Sequence, residues 1–324
     1  MIRRQRKFFS FLFAVLFIFL LVSAQAESAQ GEGSRGILYQ VQNSDVTVYL
    51  LGSIHVGNDE MYPVGEAIEK AMEISDTFVF ECDTTSKDAT AAAQEMMYYS
   101  DGTRLRDVIS PELYQKLLDV CKKTGQRIKT YERMRPWAAM TQLSLQATAA
   151  EMGVANVKKS TAMGVEAMVS AFAKHKQRNL AYLETTKGQL QAFDSMSLAL
   201  QEHLLDESLT VILQPEAIQG MDATIRHWPT WWREGNAEAF VQSYQGQYLD
   251  PKMPAKNAGL LAEYHDILVT KRNRSMCDTI EGYLQQEGTH TYFVTVGLLH
   301  LVLPEDSIVR QLQESGYVVE NLSE

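Results

Sequence analysis

The chain reads as an α/β fold, with a mixed central sheet built from both chain ends and a large helical insertion between them. Three observations predict it. "VYLLGSIHVG", Val48 to Gly57, is a run of β-formers that ends at Gly52. "YFVTVGLLHLV", Tyr292 to Val302, repeats the arrangement at Gly297, and in both copies a histidine stands three positions on, His55 and His300. Between them, from about residue 86 to 288, apolar residues recur mostly at helical spacing.

The first 26 residues are set apart from that fold. Arg3, Arg4, Arg6 and Lys7 form a basic start, and Phe8 to Val22 is an apolar run of fifteen residues, short of the roughly 18 a spanning helix needs. "SAQAES" follows, with Ala24 and Ala26 where a signal peptidase accepts small residues. These features predict cleavage after Ala26, export to a periplasmic or secreted location, and no stable membrane span afterwards.

The elements then follow in order. "ILYQVQNSDVTVYLLGS" reads as two strands around the turn residues Asn43, Ser44 and Asp45. "YPVGEAIEKAMEIS" has helical spacing at Val64, Ile68 and Met72, with Pro63 suited to a first turn. "DTFVFECD" is a buried-type strand ending at Glu81 and Asp83. Within the insertion, "SPELYQKLLDVCKKTG", "RPWAAMTQLSLQATAAEMG" and "GVEAMVSAFAKHKQ" read as helices, and "NLAYLET" as a short strand ending at Glu184. "GQLQAFDSMSLALQEHLLDESL" and "AGLLAEYHDILVTKRNRSMCDTIEGYLQQEG" read as two long helices. The tail restores the rhythm with a strand "THTYFVTVG", a helix "PEDSIVRQLQESG" and a strand "YVVENL".

Composition excludes some classes. Without the leader, 26 Lys and Arg face 40 Asp and Glu, a formal charge of −14 over 298 residues (324 minus 26). So acidic a chain argues against a nucleic-acid partner. Cys82, Cys121 and Cys277 match no zinc spacing, and three cannot all pair, so one disulfide with a free thiol or three buried thiols both fit. There is no G-x-S-x-G, H-E-x-x-H or phosphate-binding glycine loop.

In α/β sheets functional groups gather at the carboxyl ends of strands, where His55, Glu81 and His300 all fall. Imidazoles with a carboxylate are a usual ligand set for a catalytic divalent metal. Each G-x-x-H alone is a common chance pattern, and the matched pair is the stronger signal. A glycine before each histidine lets the backbone approach a ligand closely. Trp228, Trp231 and Trp232 in "WPTWWREGN" fit either a substrate groove or a helix-packing cluster. Arg272, in "KRNRSM", fits either a solvated face or a clamp on a carboxylate or oxyanion.

Together these pieces resemble the TraB/GumN family, which includes the Tiki metalloproteases and is related to erythromycin esterase and ChaN-like folds. The resemblance rests on "YLLGSIHVG", "FVFECD", "RPWAA", "YLETTKGQ", "WREGN", "KRNRSM" and "VGLLHLVLPEDSIVRQLQESGYVV", and spans nearly all of residues 27–324. It implies metal-site roles for His55, Glu81 and His300. It also implies catalytic roles for Glu81, Arg272 and Glu184, and places Asn273 and Ser53 at the substrate. The implied metal is divalent, manganese or cobalt, with zinc and iron left open. The family commonly has glycine in His-Leu-x-Gly-Pro, where this chain has Leu303, so the geometry of that turn is in question.

The expected activity is that of an exported metal-dependent hydrolase, a peptidase acting on a peptide or protein. The alternative is a protein that sequesters a peptide signal without cleaving it. A third reading, haem or iron handling, rests only on the ChaN-like relation. On the leading reading the three donors should converge on one centre. At least one histidine should also donate from its second ring nitrogen to a carboxylate or backbone carbonyl, with Glu184 and Asp83 the acidic candidates.

Overall fold

The protein is described by a computed structural model that covers residues 33–154, 156–214, 224–248 and 255–323; the leader, residues 1–26, lies outside these. Six strands, β1 (Ile37–Asn43), β2 (Val46–Ser53), β3 (Thr77–Phe80), β4 (Asn179–Tyr182), β5 (His290–Gly297) and β6 (Val319–Asn321), form one sheet. Their order is β4-β3-β5-β2-β1-β6. The run from β4 to β2 is parallel, whereas β1 is antiparallel to both of its neighbours. This is the mixed sheet built from both chain ends. The helical insertion contributes one edge strand, β4, as "NLAYLET" predicts.

Strand alternation sorts side chains into two apolar layers. Leu51, Phe78 and Phe293 pack with Ile68, Trp137 and Val169 from helices on one face. Leu50, Val79 and Val294 pack with Met276, Ile280 and Leu312 on the other. Leu50 and Leu51 are sequence neighbours in different layers, so the central strands are buried on both sides and read as unbroken apolar runs.

Helix ends follow their local chemistry. Ser110 caps Pro111–Thr124 by accepting from the Leu113 N–H, and left-handed Gly125 ends it. Pro63 lies ahead of its helix, which starts at Glu66 after Gly65. The first of the two long helical patterns is in fact two helices, Thr186–Asp194 and Leu198–Leu213. Ser197 starts the second by accepting from the Leu200 N–H. Apolar spacing continues across that break and cannot report a cap. The second long pattern is helical as far as Leu284, four residues short of Gly288, with a π-helical turn, Asp266–Thr270, just before Arg272. Such turns are frequent at functional sites.

Among the described residues, Cys82, Cys121 and Cys277 are all free and buried. No helix of the described residues is long and apolar enough to cross a membrane.

Candidate active site

The sheet register gathers four strand ends at one edge. Ser53 lies opposite Gly297, and Phe80 lies opposite both Thr295 and Tyr182. Just past these ends come His55, Glu81, Glu184 and His300, the last on the short turn Leu299–Val302. The Glu184 N–H donates to the Glu81 carbonyl at 2.8 Å, which ties two of the ends together. Helices from both layers complete the cluster. Val165–His175 brings Glu166, and Lys271–Leu284 brings Arg272 and Asn273.

Arg272 sits at the centre, 6% exposed. Its Nη2 donates to Glu81 Oε2 at 2.6 Å, and Nε donates to Glu184 Oε1 at 3.1 Å. Gln189 bridges the same two carboxylates, donating to Glu81 at 3.0 Å and to Glu184 at 3.1 Å. The Gly297 N–H donates to the other Glu81 oxygen at 2.7 Å. Burial alone would raise the Glu81 pKa, but Arg272, then His300 and this N–H, hold it at about 2. Both carboxylates in turn keep Arg272 firmly charged. Cys82 next door is no nucleophile, because burial and the carboxylates push its thiol up to about 12.

The tautomer of His300 is fixed by the groups around it. Asn273 donates from Nδ2 to the Asp306 carbonyl at 2.7 Å, so its Oδ1 faces His300 Nδ1 and must accept from it. The proton is therefore on Nδ1, and the Nε2 lone pair faces Arg272 Nη1 at 3.3 Å. Burial and the guanidinium push the His300 pKa down to about 4, so the ring is neutral near pH 7.

His55 has the opposite environment. Its Nδ1 lies 2.9 Å from Glu166 Oε1, which also accepts from the Ser53 hydroxyl. Burial lowers the His55 pKa, but the charge and hydrogen bond of Glu166 outweigh burial and the net shift is upward. Glu166 reaches His55 because its helix begins against that loop. The Val165 N–H donates to the Ile54 carbonyl at 3.1 Å, and a Cβ on Gly164 would stand 2.4 Å from the His55 carbonyl oxygen. The second oxygen of Glu166 is buried and has no hydrogen-bond partner.

The structure thus brings His55, Glu81, Glu184, Arg272 and His300 to one edge, with Ser53 and Asn273 behind them. Asn273 is fully buried, with both ends of its amide committed within the protein, and Ser53 is committed to Glu166. The expected orienting acceptors are corrected. Glu166 and Asn273 take the histidine Nδ1 atoms, while Glu184 is held by Arg272. Asp83 instead accepts from the Thr85 and Ser86 N–H groups. The expected convergence on one open centre is not found either. Among the described residues no group of three or more His, Cys, Asp or Glu is arranged to hold a metal, and Arg272 stands against Glu81 and His300 instead.

Sequence reasoning missed Glu166 and Gln189. Gln189 closes "YLETTKGQ" without carrying a charge that would single it out. Glu166 looks like any acidic residue in a first helical turn. The glycines act through close approach and not through unusual backbone. A Cβ on Gly297 would stand 3.3 Å from Glu81 Oε1, and one on Gly52 would meet Leu298 at 2.8 Å. Leu303, where a glycine is common, has ordinary extended backbone (φ −61°, ψ 138°) and is buried, so the turn needs no glycine.

The model of the TraB/PrgY/gumN family matches residues 37–321. "Metalloprotease TIKI1" of Danio rerio is 21% identical over 313 residues, 86% of this chain and 61% of that protein. "Metalloprotease TIKI homolog" of Amphimedon queenslandica is 22% identical, covering 85% of this chain and 59% of that protein. The chain therefore spans about three fifths of each Tiki relative. "Uncharacterized protein YbaP" of Escherichia coli (strain K12) is 24% identical, covering 82% of this chain and 90% of that protein. No solved structure gives a significant match.

Proposed function

The chain belongs to the TraB/PrgY/gumN family, and from that premise we propose that it is an exported metal-dependent hydrolase of peptidase type. The observation that carries the proposal is the locked tautomer of His300, whose Nε2 lone pair faces the strand-end cluster beside an ionised Glu81. A neutral imidazole with its other nitrogen tied down is the form a metal ligand takes. The metalloprotease names of two relatives support the same class.

The donor chemistry fits a divalent cation. Three carboxylates (Glu81, Glu166, Glu184) against one guanidinium leave the cluster at −2 with neutral imidazoles, and one Glu166 oxygen lacks a donor. His55, Glu81 and His300 would hold the ion. Bound there, it would polarise a carbonyl and make water acidic enough to attack near neutral pH. For His300 Nε2 to serve, Arg272 Nη1 must withdraw. Its contacts are the long ones, 3.3 Å to His300 and 3.5 Å to the Leu268 carbonyl. Because the guanidinium is planar and rigid, Nη1 would leave His300 only by a shift of the whole group on Glu81 and Glu184, and its N–H would then be the donor offered to an oxyanion.

A second reading is favoured by the Glu166–His55 pair itself. A histidine held through Nδ1 by a buried carboxylate is a general-base arrangement, and with Arg272 as the electrostatic partner it would hydrolyse without a metal. One experiment separates the two. The mature protein is stripped with chelator, reloaded with Mn²⁺ or Co²⁺, and assayed for metal content and for cleavage of a mixed peptide set. Stoichiometric metal and restored cleavage, both lost in His55→Ala and His300→Ala, are expected. Cleavage that survives complete stripping would establish the metal-free mechanism, and tight binding of intact peptide would establish sequestration. An amino terminus at Glu27 in the exported form is expected, and recovery of residues 1–26 intact in a membrane fraction would overturn the export reading.

A further inference from the structure

The cluster faces two spaces, both walled mainly by hydrocarbon, of which only one carries acidic and lysine side chains. On one side are Glu81, Asp83, Thr85, Glu166 and Lys174. On the other is a chamber open to solvent, with His55, Arg272 and His300 at one end. The rest of its wall is largely hydrocarbon, with Leu145, Phe193, Trp228, Leu268, Val269 and Leu299 contributing. Among the described residues no Asp, Glu or Lys lines it. Its serine on the helix Pro136–Glu151, Ser144, donates back to the Thr141 carbonyl at 2.7 Å and so offers its proton to no guest. Arg272, the one formal cation on the wall, is already neutralised by two carboxylates.

We propose that this chamber is the side-chain subsite of the enzyme and takes an uncharged aliphatic or aromatic residue flanking the bond to be cleaved. The inference rests on the hydrolase reading for the word cleaved, but the chamber's selectivity stands on its lining alone. A charged guest would leave water and find no free counter-charge, whereas an apolar guest loses only unfavourable hydration. In a hydrocarbon pocket of this kind one methylene more or less is worth about 10–200-fold.

The test reads binding and cleavage separately. N-phenyl-1-naphthylamine, a neutral apolar fluorophore, is bound to the full mature protein and displaced by the acetyl amides of Phe, Leu, Asp or Lys. The Phe and Leu amides are expected to displace it at concentrations at least about 10-fold lower than the other two. Leu145→Trp, which fills the chamber from a half-buried wall position, should abolish that difference with the circular dichroism unchanged. If Leu145→Trp does not fold, Leu145→Ala carries the test by weakening displacement by the Leu amide while sparing the Phe amide. In parallel, cleavage sites in a mixed peptide set are mapped by mass spectrometry. Selective displacement without cleavage supports the subsite and removes the hydrolase reading. Equal displacement by all four amides, or cleavage indifferent to the flanking side chain, overturns the subsite.

Discussion

Asn273 sets the protonation of His300 at one remove, through a carbonyl that neither the motif nor the sheet contains. Because its amide nitrogen is spent on Asp306, only its oxygen is left for His300 Nδ1. Asn273→Leu removes both bonds. It is expected to lower metal retention by about 10–100-fold, as loss of an orienting partner does. The Asp306 carbonyl keeps a second donor, Gln311 Nε2 at 2.7 Å, so the lost bond should cost only about 0.5–1.5 kcal/mol. Nitrogen-15 shifts of the His300 ring should show a fixed Nδ1–H tautomer in the wild type and a mixture in the variant. An unchanged tautomer would show that Asn273 does not set it.

The two site histidines should respond to pH in opposite directions. His300 is depressed from 6.5 to about 4, so its contribution to stability is complete above 6.5 and is lost as pH falls toward 4. At about 1.4 kcal/mol per unit, the loss is about 3 kcal/mol. His55 is raised, so its contribution is complete below 6.5 and is lost as pH rises through its folded value. Urea unfolding at pH 4, 5.5 and 7 should show His300→Asn flattening the acid limb. An acid limb as steep as the wild type's would contradict the assignment.

For Arg272, the sequence suggests a selective loss of turnover on truncation to alanine. The structure adds a stability cost, because Glu81 and Glu184 would be left nearly buried with no cation. Removing one member of a buried charge cluster costs about 3–5 kcal/mol. Arg272→Ala should therefore lower the unfolding midpoint, and the double variant Arg272→Met with Glu184→Gln should recover part of that loss. Equal midpoints for the single variant and wild type would mean the cluster is open to water.

Two glycines should respond with opposite signs. A Cβ on Gly57 would lie 2.1 Å from the Met163 carbonyl oxygen, which is backbone and cannot swing away. Gly57→Ala must part the His55 loop from the segment that leads to Glu166, at a cost of about 1–3 kcal/mol. Gly282, in the last turn of Lys271–Leu284, meets nothing within 4 Å. Gly282→Ala should stabilise by about 0.5–1 kcal/mol through helix propensity. Thermal unfolding of both variants checks the signs.

The strands, the Ser110 helix start and the strand-end residues are legible in the sequence alone, whereas the Ser197 cap is not. Apolar runs, Ser110 with Pro111, and the paired G-x-x-H motifs are local patterns, and local patterns are what period and propensity report. His55, Glu81, Glu184 and His300 were legible because each follows a strand it also terminates. Tertiary structure decided what faces them. Glu166 lies 111 residues from His55, and Arg272 lies 191 residues from Glu81. Nothing near Arg272 distinguishes it from exposed Arg274 two positions on, except the side of the helix that packs on the sheet. Partner identity, tautomer and pKa depend on distances between segments and on exclusion of water. Both are fixed only when the two helical layers close on the sheet edge.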